Sequence, residues 1–231
     1  MKINAKLAFV GIGLILANGL ATAADTDADS ATHNRITQLI ESVEVKNNGE
    51  TVVITRGHNR DATLPDVYRK TDRGCPPFCV QPMVVVPGVE TIGELEVLDY
   101  LSRMSQGDDS IMVIDSRTPD WVMRGTIPGS VNIPWNKINT DSAGTFETPN
   151  EAEGLVHILA DEFGANYNPA TKEWDYSKAK TLVLFCNGIW CPQSSYNIKT
   201  LVRLGYPVYK LKWYRGGMQD WFSVGLTTVK P

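Results

Sequence analysis

Four cysteines, set in two close pairs, are the residues of this chain best suited to covalent chemistry. Cys75 and Cys79 flank two prolines and a phenylalanine, and Cys186 and Cys191 flank a short loop that contains a glycine. A cysteine thiolate can act as a nucleophile or a metal ligand, and two thiols can form a disulfide. Four cysteines are too few for a disulfide-rich scaffold, so their pairing indicates chemistry at two local sites.

Cys186 occupies a position typical of a catalytic nucleophile. It follows an apolar strand predicted over Thr181–Phe185, and a helix is predicted to begin near Gln193. Ligands of open α/β sheets bind at the carboxyl ends of strands, and the amides of the next loop and helix favour a thiolate. We expect Gly188 to turn this loop with a positive φ. The alternative is a buried core cysteine. The predicted active-site loop consists of Asn187, Gly188, Ile189, Trp190 and Cys191.

Cys191 lies on the same loop and can resolve a persulfide or sulfenate on Cys186 by forming a disulfide with it. That pairing would make the site a redox device rather than a simple carrier. Two alternatives stay open. In the first, Cys191 is a buried small hydrophobic residue. In the second, a Cys186–Cys191 disulfide forms merely because the compartment is oxidising.

The pair Cys75 and Cys79 admits three interpretations. The first is a local disulfide that pins a loop, and the second is a redox pair that works with Cys186. The third is a soft-metal site, for example for Cu(I), with Met83 as a further ligand. Two cysteines without a histidine are a thin ligand set, and the spacing of zinc sites is absent. The sequence therefore predicts neither a metal nor a cofactor.

The composition is that of an acidic, globular chain. It has 231 residues, of which 42% are hydrophobic and 21% charged, and its net charge is −4. These values exclude a disordered tail and allow one large or two small domains. An acidic chain without a basic run also argues against nucleic-acid binding.

The segment from Met1 to Ala23 has the pattern of an export signal. Lys2 and Lys6 precede an apolar run over Leu7–Leu20, and Ala21-Thr22-Ala23 offers the small residues of a cleavage site. The sequence predicts cleavage after Ala23 and a periplasmic or secreted protein that does not contact a membrane. The alternative is an uncleaved anchor, for which the apolar run is short.

Apolar strands that alternate with helices predict an α/β fold, with a parallel sheet covered on both faces. Strands are predicted at Ser110–Asp115, Thr181–Phe185 and Val208–Trp213. Helices are predicted after a capping box at Thr91, with Leu95, Leu98, Leu101 and Met104 on one face, and at Glu151–Phe163 and Gln193–Leu204. Between the last two helices, Asn166–Lys180 is predicted as a loop. An N-terminal extension is predicted to hold a short helix, a β-hairpin and a short strand, at Ile36–Ile40, Ser42–Thr55 and Met83–Val86.

Several motifs, in order and at the right spacing, resemble those of rhodanese domains. In the first half, Val113–Arg117 and Gly125–Pro134 resemble the strand and turn of that family, although Thr126 stands where histidine is usual. The second half carries the remaining motifs, at Leu182–Cys186, Gly205–Val208 and Arg215–Trp221. The resemblance spans about Thr91–Val229. Together with the export pattern, it divides the chain into a signal peptide at 1–23, an extension at 24–90, and a rhodanese-like domain at 91–231 with an insertion at about 137–180.

The resemblance also implies a mechanism. Cys186 would take sulfane sulfur from a small donor such as thiosulfate, hold it as a persulfide, and pass it to a thiol or another nucleophilic acceptor, including a protein. The loop after it would supply an amide cradle. Asp115 and Arg117 would stand at the mouth of the site, unless they form a buried ion pair. Arg215 would bind an anionic donor, unless it faces solvent.

Other functions of related folds fit less well. Phosphatases and arsenate reductases need Cys-x5-Arg, and Pro192 occupies the arginine position here. Ile189 and Trp190 indicate an apolar acceptor. Two alternatives to sulfur transfer stay open: a periplasmic thiol–disulfide protein that uses Cys186 and Cys191, and a non-catalytic binding module.

Overall fold

The computed structural model describes residues 35–139 and 154–231. Strands in these ranges are β1 (Val43–Asn47), β2 (Glu50–Ile54), β3 (Glu90–Ile92), β4 (Ile111–Asp115), β5 (Val131–Asn132), β6 (Asn166–Asn168), β7 (Glu173–Asp175), β8 (Thr181–Phe185) and β9 (Leu211–Tyr214). The α-helices are α1 (Asp66–Arg69), α2 (Glu94–Ser105), α3 (Pro119–Val122), α4 (Gln193–Arg203) and α5 (Gly217–Ser223). Short 3-10 helices lie at Trp135–Lys137 and Val208–Lys210, and a π-helical turn lies at Ile158–Glu162.

Five strands form a central parallel sheet in the order β3-β9-β8-β4-β5. The prediction of an α/β fold with a parallel sheet is therefore confirmed. Along β4, Met112 and Ile114 join one hydrophobic cluster, and Val113 between them joins the other. Since side chains alternate along a strand, both faces of the sheet are covered. The central strands β4 and β8 end level with each other, because Asp115 pairs with Phe185.

The predicted hairpin of the extension is confirmed as the antiparallel pair β1–β2. Other local predictions are wrong. Residues 36–39 form bends rather than a helix. Met83–Val86 is irregular, and the edge strand of the sheet is β3 instead. The strand predicted from Val208 begins only at Leu211, after a 3-10 turn.

Further differences concern helices and the predicted insertion. Gly93, not Thr91, precedes α2, and Leu95 is exposed although Leu98 and Leu101 are buried. The predicted loop Asn166–Lys180 contains the hairpin β6–β7. Of the helix predicted over Glu151–Phe163, residues 151–153 lie outside the described residues, residues 154–157 are α-helical as predicted, and Ile158–Glu162 form the π-helical turn.

The predicted export signal also lies outside the described residues. Within the described ranges, no helix has both the length and the apolar character needed to cross a bilayer.

The extension is joined to the sheet domain by side chains and backbone. Val45, Ile54 and Tyr68 of the extension belong to the same hydrophobic cluster as Phe185 and Cys186. The Gly57 amide also donates to the Gly225 carbonyl at 2.8 Å. The N-terminal segment therefore helps to build the core that surrounds the cysteine loop.

Candidate functional site

The loop from Cys186 to Pro192 connects the end of β8 to the start of α4. Backbone hydrogen bonds from α5 hold it: Met218 donates to the Cys186 carbonyl at 3.0 Å, and Gln219 donates to the Asn187 carbonyl at 2.9 Å. The Cys191 amide donates to the Gly188 carbonyl at 2.9 Å. The loop is thus closed on itself and fastened to the helix below it.

Cys186 and Cys191 form a disulfide across this loop. Their Cα atoms are 6.1 Å apart, within the usual range for such a bond. The residues are 2% and 3% exposed. The side-chain oxygen of Gln193 lies 3.4 Å from the Cys186 sulfur and 3.6 Å from the Cys191 sulfur. When the bond is reduced, this carboxamide is in place to hydrogen-bond either sulfur.

The glycines of the site have different roles from those expected. Gly188 does not have a positive φ, so that prediction is wrong. Its lack of a side chain leaves room for Gln219 instead. A Cβ atom at position 188 would lie only 2.9 Å from Gln219 Oε1. The positive φ belongs to Gly217, at 56°, whose backbone approaches the Cys186 carbonyl closely. Gly217 therefore allows α5 to meet the cysteine loop.

Gly217→Ala is expected to destabilise the protein by about 3 kcal/mol, because the new methyl group would collide with the Cys186 backbone in a left-handed conformation. Gly205→Ala is the matched control: φ is 88° there, but the nearest atom to a Cβ is a tyrosine ring carbon at 3.6 Å. We expect the control to cost about 1–2 kcal/mol, from the backbone conformation alone. Denaturant unfolding of both variants measures the difference, and equal losses would contradict the close approach.

Asp115 and Arg117 form an ion pair that is fully buried. The guanidinium donates from Nε to Asp115 Oδ1 at 2.8 Å and from Nη2 to Oδ2 at 2.5 Å. Burial alone would lower the pKa of Arg117, but the charge and hydrogen bonds of Asp115, together with those of Tyr68, raise it above its usual value. Thr126, which stands where the resembling motif usually has histidine, donates its hydroxyl to Asp115 Oδ2 at 2.7 Å. The pair thus lies beneath the site rather than at its mouth.

A residue of the extension connects this ion pair to the cysteine loop. The Tyr68 hydroxyl accepts a hydrogen bond from Arg117 Nη1 and donates one to Asn187 Oδ1, both at 3.0 Å. The amide nitrogen of Asn187 is in turn 3.9 Å from the Cys191 sulfur. Burial raises the pKa of Tyr68, which keeps the phenol protonated as a donor. A continuous series of contacts between buried polar groups therefore connects Asp115 to the disulfide.

Arg215 fastens the extension to the site. It donates from Nη2 to the Gln81 carbonyl at 2.8 Å and from Nε to the Pro82 carbonyl at 3.0 Å. The Gln81 amide donates to the Ile189 carbonyl of the cysteine loop at 2.8 Å. In this arrangement the guanidinium binds backbone oxygens of the extension.

The second disulfide, Cys75–Cys79, lies in the extension, with its Cα atoms 4.6 Å apart. Between its cysteines, Phe78 packs edge-on against Trp190, with ring centroids 5.6 Å apart. The Arg73 guanidinium lies 3.5 Å from the Trp190 ring centroid. The loop closed by this disulfide therefore contacts the cysteine loop, and its sulfurs are bonded to each other rather than available as metal ligands.

An apolar pocket about 270 Å³ in volume opens beside Cys191. It lies between the extension, the cysteine loop and α4, and half of its lining residues are aromatic. The residues that line it are Pro77, Phe78, Trp121, Trp135, Asn187, Trp190, Cys191, Pro192, Gln193 and Tyr196. Among the described residues, neither Cys186 nor a charged side chain belongs to this lining.

Sequence reasoning missed the residues that the extension contributes, namely Tyr68, Arg73, Phe78 and Gln81. Each of them contacts a residue of the cysteine loop that is more than a hundred positions away in the sequence. No local sequence pattern therefore indicates their role. Cys75 and Cys79 were the one available signal, because they bracket the phenylalanine that contacts the loop.

Comparisons with known proteins place this site in a wider context. A family model described as a rhodanese-like domain matches residues 97–223. No curated protein gives a match. Among solved structures, the polysulfide–sulfur transferase homodimer of Wolinella succinogenes is 19% identical and covers 64% of this chain and 82% of its own, with a TM-score of 0.38. SseA of Escherichia coli, a 3-mercaptopyruvate sulfotransferase, is 20% identical, and the match covers 57% of this chain and 43% of SseA, with a TM-score of 0.35.

Proposed function

Because the chain belongs to the rhodanese-like domain family, we propose that it is a sulfurtransferase that carries sulfane sulfur on Cys186 and delivers it to a thiol. Membership of this family supports a role in sulfur transfer in general. The observation that carries the proposal for this chain is the position of Cys186 at the carboxyl end of β8, in a loop that also brings Cys191 within bonding distance.

The first half of the reaction needs the reduced loop. The Cys186 thiolate attacks the outer sulfur of a donor such as thiosulfate, the sulfur–sulfur bond of the donor breaks, and sulfite leaves with the electron pair. Cys186 then holds a persulfide. A thiolate acceptor takes the terminal sulfur and becomes a persulfide itself, which returns Cys186 to the thiolate form.

Cys191 opens a second route from the same intermediate. Its thiolate attacks the Cys186 sulfur, the persulfide bond breaks, and the terminal sulfur leaves as hydrogen sulfide. The product is the Cys186–Cys191 disulfide, and two external thiols must then reduce it. This disulfide also favours the second candidate function, a thiol–disulfide protein that uses the same pair without sulfane sulfur.

The proposed site of action is the periplasm or the outside of the cell, after removal of the segment up to Ala23. Two disulfides in one chain support this location, because such bonds persist in oxidising compartments and are rare in the cytosol.

Mass spectrometry of the Cys191→Ser variant tests the sulfur-transfer proposal. Without a resolving thiol, thiosulfate is expected to add about 32 Da, the mass of one persulfide sulfur, to reduced Cys186. Wild-type protein under the same conditions is expected to pass through this adduct to a form about 2 Da lighter than the dithiol, which is the disulfide. Wild-type protein that forms the disulfide while the variant never gains sulfur would favour the thiol–disulfide function instead.

A further inference from the structure

The aromatic pocket defined above lies beside only one sulfur of the disulfide. We propose that this pocket binds the apolar body of a small thiol and presents its sulfur to Cys191, so that Cys191 is the sulfur attacked and Cys186 the sulfur released. This inference rests on the proposed function, because it names the class of thiol that reduces the Cys186–Cys191 disulfide formed in the second route.

The lining of the pocket determines the class of the thiol. Phe78 and Trp190 form one aromatic contact of the wall, and Trp135 and Tyr196, with ring centroids 6.1 Å apart, form another. Arg73 lies against the Trp190 ring but does not line the pocket, and among the described residues no charged side chain does. Rigid aromatic walls of this kind favour a neutral, apolar ligand and disfavour a small dianion such as thiosulfate. The pocket therefore suits an aromatic or branched aliphatic thiol better than a hydrophilic one.

The volume of the pocket indicates a small molecule rather than a protein segment. At about 270 Å³ it matches the volume of about nine liquid water molecules. A thiol with a single ring or a short branched chain fits such a space. The Cys75–Cys79 loop supplies Pro77 and Phe78 to the wall, which narrows the approach from the side of the extension.

Access determines which sulfur is attacked. Both cysteines are almost fully buried, but Cys191 lines the pocket, whereas Cys186 lies outside the lining among the described residues. A thiolate seated in the pocket therefore meets the Cys191 sulfur first. Thiol–disulfide exchange proceeds through a mixed disulfide with the sulfur that is attacked, so the first product is Cys191 joined to the ligand.

The balance of the step is simple. The ligand sulfur bonds to the Cys191 sulfur, the Cys186–Cys191 bond breaks, and its electron pair leaves on the Cys186 thiolate. Gln193 lies 3.4 Å from that sulfur and, with its carboxamide turned, donates an N–H to the new thiolate. A second thiol attacks the ligand sulfur of the mixed disulfide and releases Cys191 as a thiolate. In sum, two thiols are oxidised to one disulfide and the loop is reduced.

Exchange kinetics on the oxidised protein test the proposal. Benzyl mercaptan and 2-mercaptoethanol serve as apolar and hydrophilic probes, with rates compared per thiolate. Benzyl mercaptan is expected to reduce the loop at least about tenfold faster, the discrimination that a small apolar pocket provides. Tyr196→Ala and Phe78→Ala, at partly exposed positions of the wall, are expected to lower the ratio of the benzyl mercaptan rate to the 2-mercaptoethanol rate toward one. Tyr209→Ala, an exposed tyrosine outside the lining, is the matched control and is expected to keep the preference.

Rapid acid quenching followed by alkylation identifies the sulfur attacked. Trypsin releases both loop cysteines in one peptide, Thr181–Lys199, whose fragment masses assign the mixed disulfide to one of them. Benzyl mercaptan on Cys191 with alkylated Cys186 is the expected result. Benzyl mercaptan on Cys186, or equal rates with the two thiols, overturns the proposal. A cysteine peptide with aromatic flanking residues serves as a third probe, and a faster reaction with it than with benzyl mercaptan also overturns the proposal. No sulfur donor is present, so a protein that fails to accept sulfane sulfur can still pass this test.

Discussion

Replacing Cys186 with serine is expected to lower the rate of sulfur transfer from thiosulfate to a thiol by at least about a thousandfold. A serine hydroxyl stays protonated near neutral pH and forms no persulfide, so the variant has no carrier for the sulfur atom. The fold should tolerate the change, because the two side chains differ by one atom and the disulfide closes only a short loop. Steady-state formation of sulfite measures the rate.

Cys191→Ser is the matched comparison for that measurement. It removes the same disulfide but leaves Cys186 in place, so we expect it to keep sulfur transfer to an external thiol and to lose the release of hydrogen sulfide through the internal route. Sulfite formation at equal rates in wild-type protein and Cys186→Ser would contradict the assignment of the nucleophile.

Asp115→Ala is expected to lower the free energy of unfolding by about 3–5 kcal/mol, because it leaves the Arg117 guanidinium buried without its counter-charge. The loss should also slow sulfur transfer, since Arg117 and Tyr68 hold Asn187 in the cysteine loop. Denaturant unfolding and sulfite formation measure the two effects in the same preparation.

The control for this variant is a carboxylate of the surface. Asp99→Ala removes an ion pair with Arg103 on the surface of α2 in which both side chains reach solvent, so it is expected to leave stability and activity almost unchanged. If Asp115→Ala were equally mild, water would have to reach Arg117, which contradicts its complete burial.

The parts of this fold with strong local patterns are those that the sequence predicted well. Thr181–Phe185 is a continuous apolar run, and it forms β8 with the same limits. The Asn-Gly turn between β1 and β2 set the hairpin for the same reason, because two turn residues between alternating strands leave few other conformations. Cys186 could be placed at the end of a strand from this information alone.

Long-range contacts account for what the sequence did not reveal. Val84 and its neighbours have the apolar composition of a strand. The edge strand of the sheet is nevertheless Glu90–Ile92, because that segment pairs with β9. Tyr68 has no distinctive neighbours, and its role follows only from meeting Arg117 and Asn187 in the folded chain. Patterns in sequence report local structure, whereas this site is built from segments far apart.

The short span of the two disulfides has a consequence for chain entropy. They join residues four and five positions apart, so they restrict the unfolded chain far less than a long cross-link. Bonds of this span stabilise by about 2 kcal/mol, against about 4.7 kcal/mol for a loop of about 100 residues. Hydrogen bonds and packing, rather than a covalent tether, join the extension to the sheet. The thiols can therefore be oxidised and reduced many times while the tertiary structure stays intact, which a catalyst that cycles between dithiol and disulfide requires.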